Sequence, residues 1–149
     1  MRIGIDMNKA NDDAWNIAEG KDKGYKAQIR YRPKLDLEAL QTKFPKLLTV
    51  EWEYESNEIN NYLPLPEDFD SMQSFETKLT DTLEEKDVGV IAFIFTSNSL
   101  RKLCFYVNDI DVVSNTLNTE IEPGLPIQVA VEDDREWQEF KRILDLVNE

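Results

Sequence analysis

The chain has 149 residues, with seventeen basic side chains against thirty carboxylates, one cysteine and no histidine, for a formal net charge of −13. That length suits a single domain with a core of its own. The charge repels nucleic acid and anionic membranes, and the lack of histidine excludes imidazole-based serine and cysteine triads together with the usual nitrogen-ligated zinc sites.

The first dozen residues are polar and are expected to be flexible, with no hydrophobic signal core, and no apolar run reaches the ~18 residues of a membrane span. A cytoplasmic location is the expectation. Residues 14–45 read as a hairpin and a short helix. Ala14 to Glu19 and Tyr25 to Arg32 flank the turn Gly20-Lys21-Asp22-Lys23-Gly24, and Tyr25, Ala27, Ile29 and Tyr31 alternate with Lys26, Gln28, Arg30 and Arg32, which predicts one wet, basic face. Leu37, Leu40 and Phe44 fall near helical spacing, and Pro45 ends that helix.

Residues 46–132 form the expected core. Leu48, Val50, Trp52 and Tyr54 alternate with Thr49, Glu51, Glu53 and Glu55, so one face of this strand is apolar and the other acidic. The loop Asn57 to Pro66 leads to a helix near Glu67 to Lys86, with Phe69, Met72, Phe75, Leu79 and Leu83 on one stripe. Val88 to Phe95 is apolar on both faces and predicts a strand covered on both sides. Ser97-Asn98-Ser99 turns it into Leu100 to Val107, whose Cys104 reads as a strand thiol. Asn108 is placed to cap a helix through Leu117, Pro123-Gly124 breaks it, and Ile127, Val129 and Val131 alternate in a last strand. Over 133–149, Asp133 and Glu136 pattern as a capping box for a C-terminal helix carrying Trp137, Phe140, Leu144 and Val147, with Trp137 and Phe140 expected to anchor it to the sheet.

This order predicts an α+β fold: a ferredoxin-like βαββαβ core with an added N-terminal β-hairpin and a C-terminal helix, all within one domain of 1–149. Such a core would leave Val88 to Phe95 at an edge, against its two-faced apolarity. The N-terminal hairpin is therefore expected to extend the sheet beside it.

The chemistry-bearing patterns are few. Five glycines stand singly and form no phosphate loop. Asp109 and Asp111 share the spacing that opens a calcium loop, but the glycine and terminal glutamate are missing. No cofactor, metal or catalytic residue is assigned. The constellation that remains is the sheet face bearing Glu51, Glu53 and Glu55, with Glu58 just beyond, and its predicted neighbours Lys102, Cys104, Tyr106, Gln128, Ala130 and Glu132. Partner binding is assigned to Glu51, Glu53, Glu55, Glu58, Tyr62, Lys102 and Tyr106. The competing reading is a solvated face neutralised by Lys102 and by Arg30 or Arg32.

Trp15 before Gly20, the Arg30-Tyr31-Arg32 run, Phe44-Pro45 ahead of a strand, Leu63-Pro64 before the long helix, Phe105-Tyr106, and the closing Asp134, Trp137 and Phe140 follow one another in an order that resembles the bacterial domain of unknown function 695 family, over roughly Ala14 to Val147. The resemblance carries no activity and no catalytic residue. Through companion domains it implies a weaker likeness to the ribonuclease E activity regulator B family, an acidic ferredoxin-like inhibitor, and so points toward binding. The leading expectation is a non-catalytic acidic protein that engages a basic protein, as an inhibitor or as the immunity partner of a nuclease toxin. The alternatives are a carboxylate-based enzyme, with or without a divalent metal, and a housekeeping protein whose charge keeps it soluble.

Overall fold

The computed structural model describes residues 14–121 and 124–148. The expected flexible segment 1–12 and the helix-breaking Pro123 lie outside the described residues. In chain order the elements are β1 (Asn16–Asp22), β2 (Tyr25–Tyr31), α1 (Leu37–Lys43), β3 (Lys46–Glu53), a 3-10 turn (Glu58–Asn60), α2 (Pro66–Glu85), β4 (Gly89–Ser97), β5 (Leu100–Val107), α3 (Ile110–Glu120), β6 (Ile127–Asp133) and α4 (Gln138–Val147). The fold is α+β, built on one six-stranded sheet with strand order β1-β2-β4-β5-β3-β6 and every neighbouring pair antiparallel.

Tight turns set the two hairpins. Lys23 and Gly24 both have positive φ, as do Asn98 and Ser99, which is the left-handed pair that matches strand twist in a two-residue loop. The first hairpin turn is therefore shorter than the five-residue loop read from sequence, and β1 runs on to Asp22.

Helices cover the sheet on both sides. On one face α2 and α3 pack over Leu48 and Val50 of β3, Ile91 and Ile94 of β4, and Leu103, Phe105 and Val107 of β5, using Phe75, Leu79, Leu83, Val113 and Leu117. On the other, Leu37 and Leu40 of α1 and Phe140 and Ile143 of α4 meet Ile29, Tyr31, Leu47, Phe93, Cys104 and Tyr106. This double cover explains the apolarity of β4 on both faces. β2 pairs with β4 on the side away from β5, so β4 is interior. A register shift between Ile91 and Phe93 marks a bulge in β4, and the Ala92 carbonyl there accepts from the Arg32 amide at 3.1 Å.

Several helix starts differ from the sequence reading. Asp109, rather than Asn108, caps α3, its side chain accepting from the Val112 amide at 3.2 Å. The Asp133 and Glu136 box does not form, because Asp133 is still in β6 and is tied to Lys46 at 2.6 Å. Asp134 takes over instead: one carboxylate oxygen accepts from the Gln138 amide at 2.8 Å and the other from Glu139 at 3.1 Å. The chain enters α4 through Trp137 in the left-handed region, φ 54°. Two aromatic contacts and a hydrogen bond from the Trp137 indole to the Phe44 carbonyl, 2.8 Å, hold it there.

Candidate functional site

The charged residues separate into an inner and an outer set, and the division follows strand alternation. On β2, Ile29 and Tyr31 point to the α1/α4 side, so Arg30 and Arg32 point to α2. The Arg30 and Arg32 end of the predicted wet, basic face is thus an inner face, while Lys26 stays exposed. Arg30 reaches Glu76 at 3.4 Å and lies over the Trp15 ring at 4.7 Å, while Arg32 pairs with Glu84 at 3.0 Å and donates to the Ile91 carbonyl at 3.1 Å. Arg101 on β5 is 1% exposed, meets Glu76 at 2.8 Å and Thr96 at 3.2 Å, and covers the Phe69 ring. One buried carboxylate therefore bridges two guanidinium groups between the sheet and α2.

Glu76 was not among the residues singled out from sequence, yet a signal was present. It lies four residues after Met72 and three before Leu79, on the buried stripe of α2, where an unpaired carboxylate would be costly. Its buried partner Arg101 could not be named without the fold, because β5 reaches α2 only across the sheet.

The outer set is acidic. Glu51 is half-buried on β3 and faces Lys102 of β5 at 3.9 Å, as the register of the two strands requires. Glu53 ends β3, and Glu55 and Glu58 follow it, all three exposed. Arg30 and Arg32 do not neutralise this face, contrary to the alternative drawn from sequence, since both are engaged with α2 carboxylates on the opposite side of the sheet. Gln128, Ala130 and Glu132 of β6 stand opposite Glu51, Thr49 and Leu47. The α4 helix covers only the Cys104 and Tyr106 end of this face.

Tyr106, assigned to partner binding from sequence, instead lies inside the protein. It is fully buried and stacked on Trp137 with ring centroids 4.0 Å apart. Its hydroxyl donates to Asp134 at 2.7 Å and accepts from the Phe140 amide at 3.2 Å. Tyr106 anchors α4.

Tyr62 closes the loop after β3. Its carbonyl accepts from the Tyr54 hydroxyl at 2.7 Å and from the Ser99 amide at 3.0 Å, and its ring meets Tyr25 edge-on at 5.4 Å. The loop is thereby tethered to both hairpins, with Glu58 and the 90% exposed Ile59 at its outer side. Between this end of β3 and α2 runs a cleft of about 340 Å³, lined by Trp52, Glu53, Tyr54, Glu55, Asp68, Ser71, Met72 and Pro126. Among the described residues, no three carboxylate or cysteine groups stand close enough to hold a metal ion. Asp109 serves as the α3 cap already described. No helix among the described residues is long and apolar enough to cross a membrane.

Burial shifts three acids upward. Desolvation pushes the Cys104 thiol from its ordinary 9.0 to about 12 and the Tyr54 phenol from 10.0 to about 12. Tyr106 rises as well, through burial first and then its bond to the Asp134 carboxylate. In each case the folded state holds its proton more tightly than the unfolded chain does. Stability from these groups is therefore fully present below pH 9 and is lost as pH climbs through the window from 9 to 12. An alkaline titration followed by circular dichroism should show a falling unfolding midpoint across that window, and Cys104→Ala should remove its earliest part. A midpoint flat from pH 9 to 12 would contradict the buried placement of these groups.

A family model described as "Family of unknown function (DUF695)" matches residues 10–144. The chain belongs to this family. No curated protein and no solved structure matches it. The DUF695 match spans all six strands and the greater part of α4, so the buried Glu76 network and the acidic end of β3 both fall inside the family region.

Proposed function

We propose that this chain is a non-catalytic binding protein that uses the acidic end of its sheet to engage a basic protein, acting as an inhibitor or as the immunity partner of a nuclease toxin. One observation carries the reading. Arg30, Arg32 and Arg101 are all drawn inside to α2, so the carboxylates of Glu53, Glu55 and Glu58 stand in solvent without them. Exposed like charge along one sheet end raises the encounter rate with a cationic surface and supplies specificity by sign. Tyr62 and Ile59 beside it would contribute apolar contact, and Lys102 would orient Glu51.

We also read the sheet as a ferredoxin-like unit. The order β6-β3-β5-β4, with α2 and α3 on one face, supports that reading, and the β1–β2 hairpin extends it at the β4 side. A cytoplasmic location is part of the proposal. The weaker likeness to an acidic ferredoxin-like enzyme inhibitor points the same way.

The test is charge reversal. Glu51→Lys with Glu53→Lys should slow association with a basic partner, captured from native lysate, by roughly tenfold or more at low salt. Raising salt toward 0.5 M should slow the unaltered protein in the same direction, because exposed charges are screened beyond ~10 Å at 0.1 M. Thermal stability should fall only slightly, because Glu51→Lys sets a second lysine directly across from Lys102. Association that is indifferent to both reversal and salt would defeat the acidic-surface reading.

A further inference from the structure

The sheet has two ends, and they are not equivalent. β1 carries Gly20 and Lys21, residues that discourage a further strand from pairing there. β6 has neither. From Ile127 to Asp133 it holds no glycine, proline or lysine, it pairs with β3 without a register shift, and its valines Val129 and Val131 are each 42% exposed. Among the described residues no strand pairs with its outer side, and an edge of this kind accepts another strand.

Backbone parity defines what that edge presents. The Glu53 amide donates to the Pro126 carbonyl and the Asp134 amide to the Pro45 carbonyl, at 3.0 and 2.9 Å. In an antiparallel ladder this assigns the even-numbered residues of β6 to exchange with β3 and turns the amides of Val129 and Val131 outward. Their side chains share a face with Val50 and Leu48, on the α2/α3 side. Glu132 and Gln128 lie on the other face, and Glu51 of β3 stands across from Gln128.

We infer that the outer edge of β6 takes up an extended basic segment of the partner protein as a seventh strand, with apolar side chains over Val129 and Val131 and basic ones beside Glu132 and reaching past Gln128 toward Glu51. This rests on the basic-partner reading and names the mode of contact. Main-chain hydrogen bonds to Val129 and Val131 supply the pairing, and alternate side chains supply selectivity. Charge decides the occupant. A second copy would bring another −13 to the same edge, whereas a cationic strand meets complementary carboxylates.

The experiment uses the full chain, isotopically labelled, and a synthetic peptide alternating Lys and Val over about eight residues, with a peptide of the same composition in two blocks as the control. Amide exchange is followed residue by residue. The alternating peptide should slow exchange at Val129 and Val131 by roughly tenfold or more while leaving Gln128 and Ala130 unchanged. Val129→Pro removes an outward donor and should abolish the effect; Val129→Lys with Val131→Lys, at exposed positions that keep the β3 ladder, should do so if the proline variant fails to fold. Equal protection by the block peptide, protection at β1, concentration-dependent protection without peptide as two copies pair, or no protection would each overturn the inference. If peptide binding responds to Glu51→Lys and Glu53→Lys while Val129 and Val131 stay unprotected, the edge is wrong and the acidic-surface reading stands.

Discussion

Replacing Trp137 by alanine should cost about 3 to 5 kcal/mol of folding stability, measured by urea denaturation, because a fully buried aromatic is removed from a closely packed site. The residue does three things at once. Its ring stacks on Tyr106 at 4.0 Å and meets Phe140 edge-on at 5.9 Å, and its indole nitrogen donates to the Phe44 carbonyl at the end of α1. Alanine keeps the unfavourable positive φ at this position while losing every contact that offsets it. Trp137→Phe separates the terms: most of the stack survives, and the loss should fall to about 1 to 3 kcal/mol, the cost of leaving the buried Phe44 carbonyl unpaired. Against a total of about 5 to 15 kcal/mol for an ordinary domain, that loss is about a fifth of the stability at the least and all of it at the most. A loss under about 1 kcal/mol would mean that α4 is not held to the sheet by this residue.

The second large effect concerns the buried ionic bridge. Glu76→Gln should destabilise the fold by about 3 to 5 kcal/mol, since it leaves the guanidinium of Arg101, and in part that of Arg30, without a compensating charge inside the protein. Removing both partners should do less harm. With Arg101→Met and Glu76→Leu together, the cost of desolvating two ions disappears, and the partners lost are those of Arg30, at the half-exposed rim of the cluster, and of the neutral Thr96 hydroxyl. Among the described residues the buried Nε of Arg101 has no hydrogen-bond acceptor, so the network there is incompletely satisfied, which favours recovery in the double variant. Stabilities measured for the two single variants and the double form a cycle. If the double variant loses as much as the two singles together, Glu76 and Arg101 are not coupled and the bridge has no energetic role.

Much of the architecture could be read from local pattern. Alternation over β3, the stripe Phe69, Met72, Phe75, Leu79 and Leu83, and the all-apolar run of β4 are properties of nearest neighbours along the chain, and the strands and helices they predict are present to within a few residues. The expected neighbours of the acidic strand were likewise recoverable, because antiparallel pairing and the alternation of β3, β5 and β6 leave Lys102, Cys104 and Gln128 on its face.

The candidate site was less legible. Glu51 and Glu53 stand where alternation puts them and Glu58 where its loop does, whereas Glu55, expected on the strand, falls past the end of β3; Tyr106 shares the strand face of Glu51 and is nevertheless buried. Alternation assigns a face; it does not say how far along that face α4 extends. The same limit applies to Arg30 and Arg32. Their alternation with Ile29 and Tyr31 was plain, yet both faces of β2 are covered, so polarity alone could not tell which one α2 would occupy. Cap chemistry at α4 also escaped, because Asp134 works there only with Trp137 in a left-handed conformation that contacts far along the chain enforce. The sequence by itself determined which residues form strands and helices and where the carboxylate excess lies, since those follow from local periodicity and composition. Tertiary structure decided which charges are neutralised inside and which are left in solvent, because the pairing of Glu76 with Arg30 and Arg101 joins residues 46 and 25 positions apart and exists only once α2 lies across the sheet.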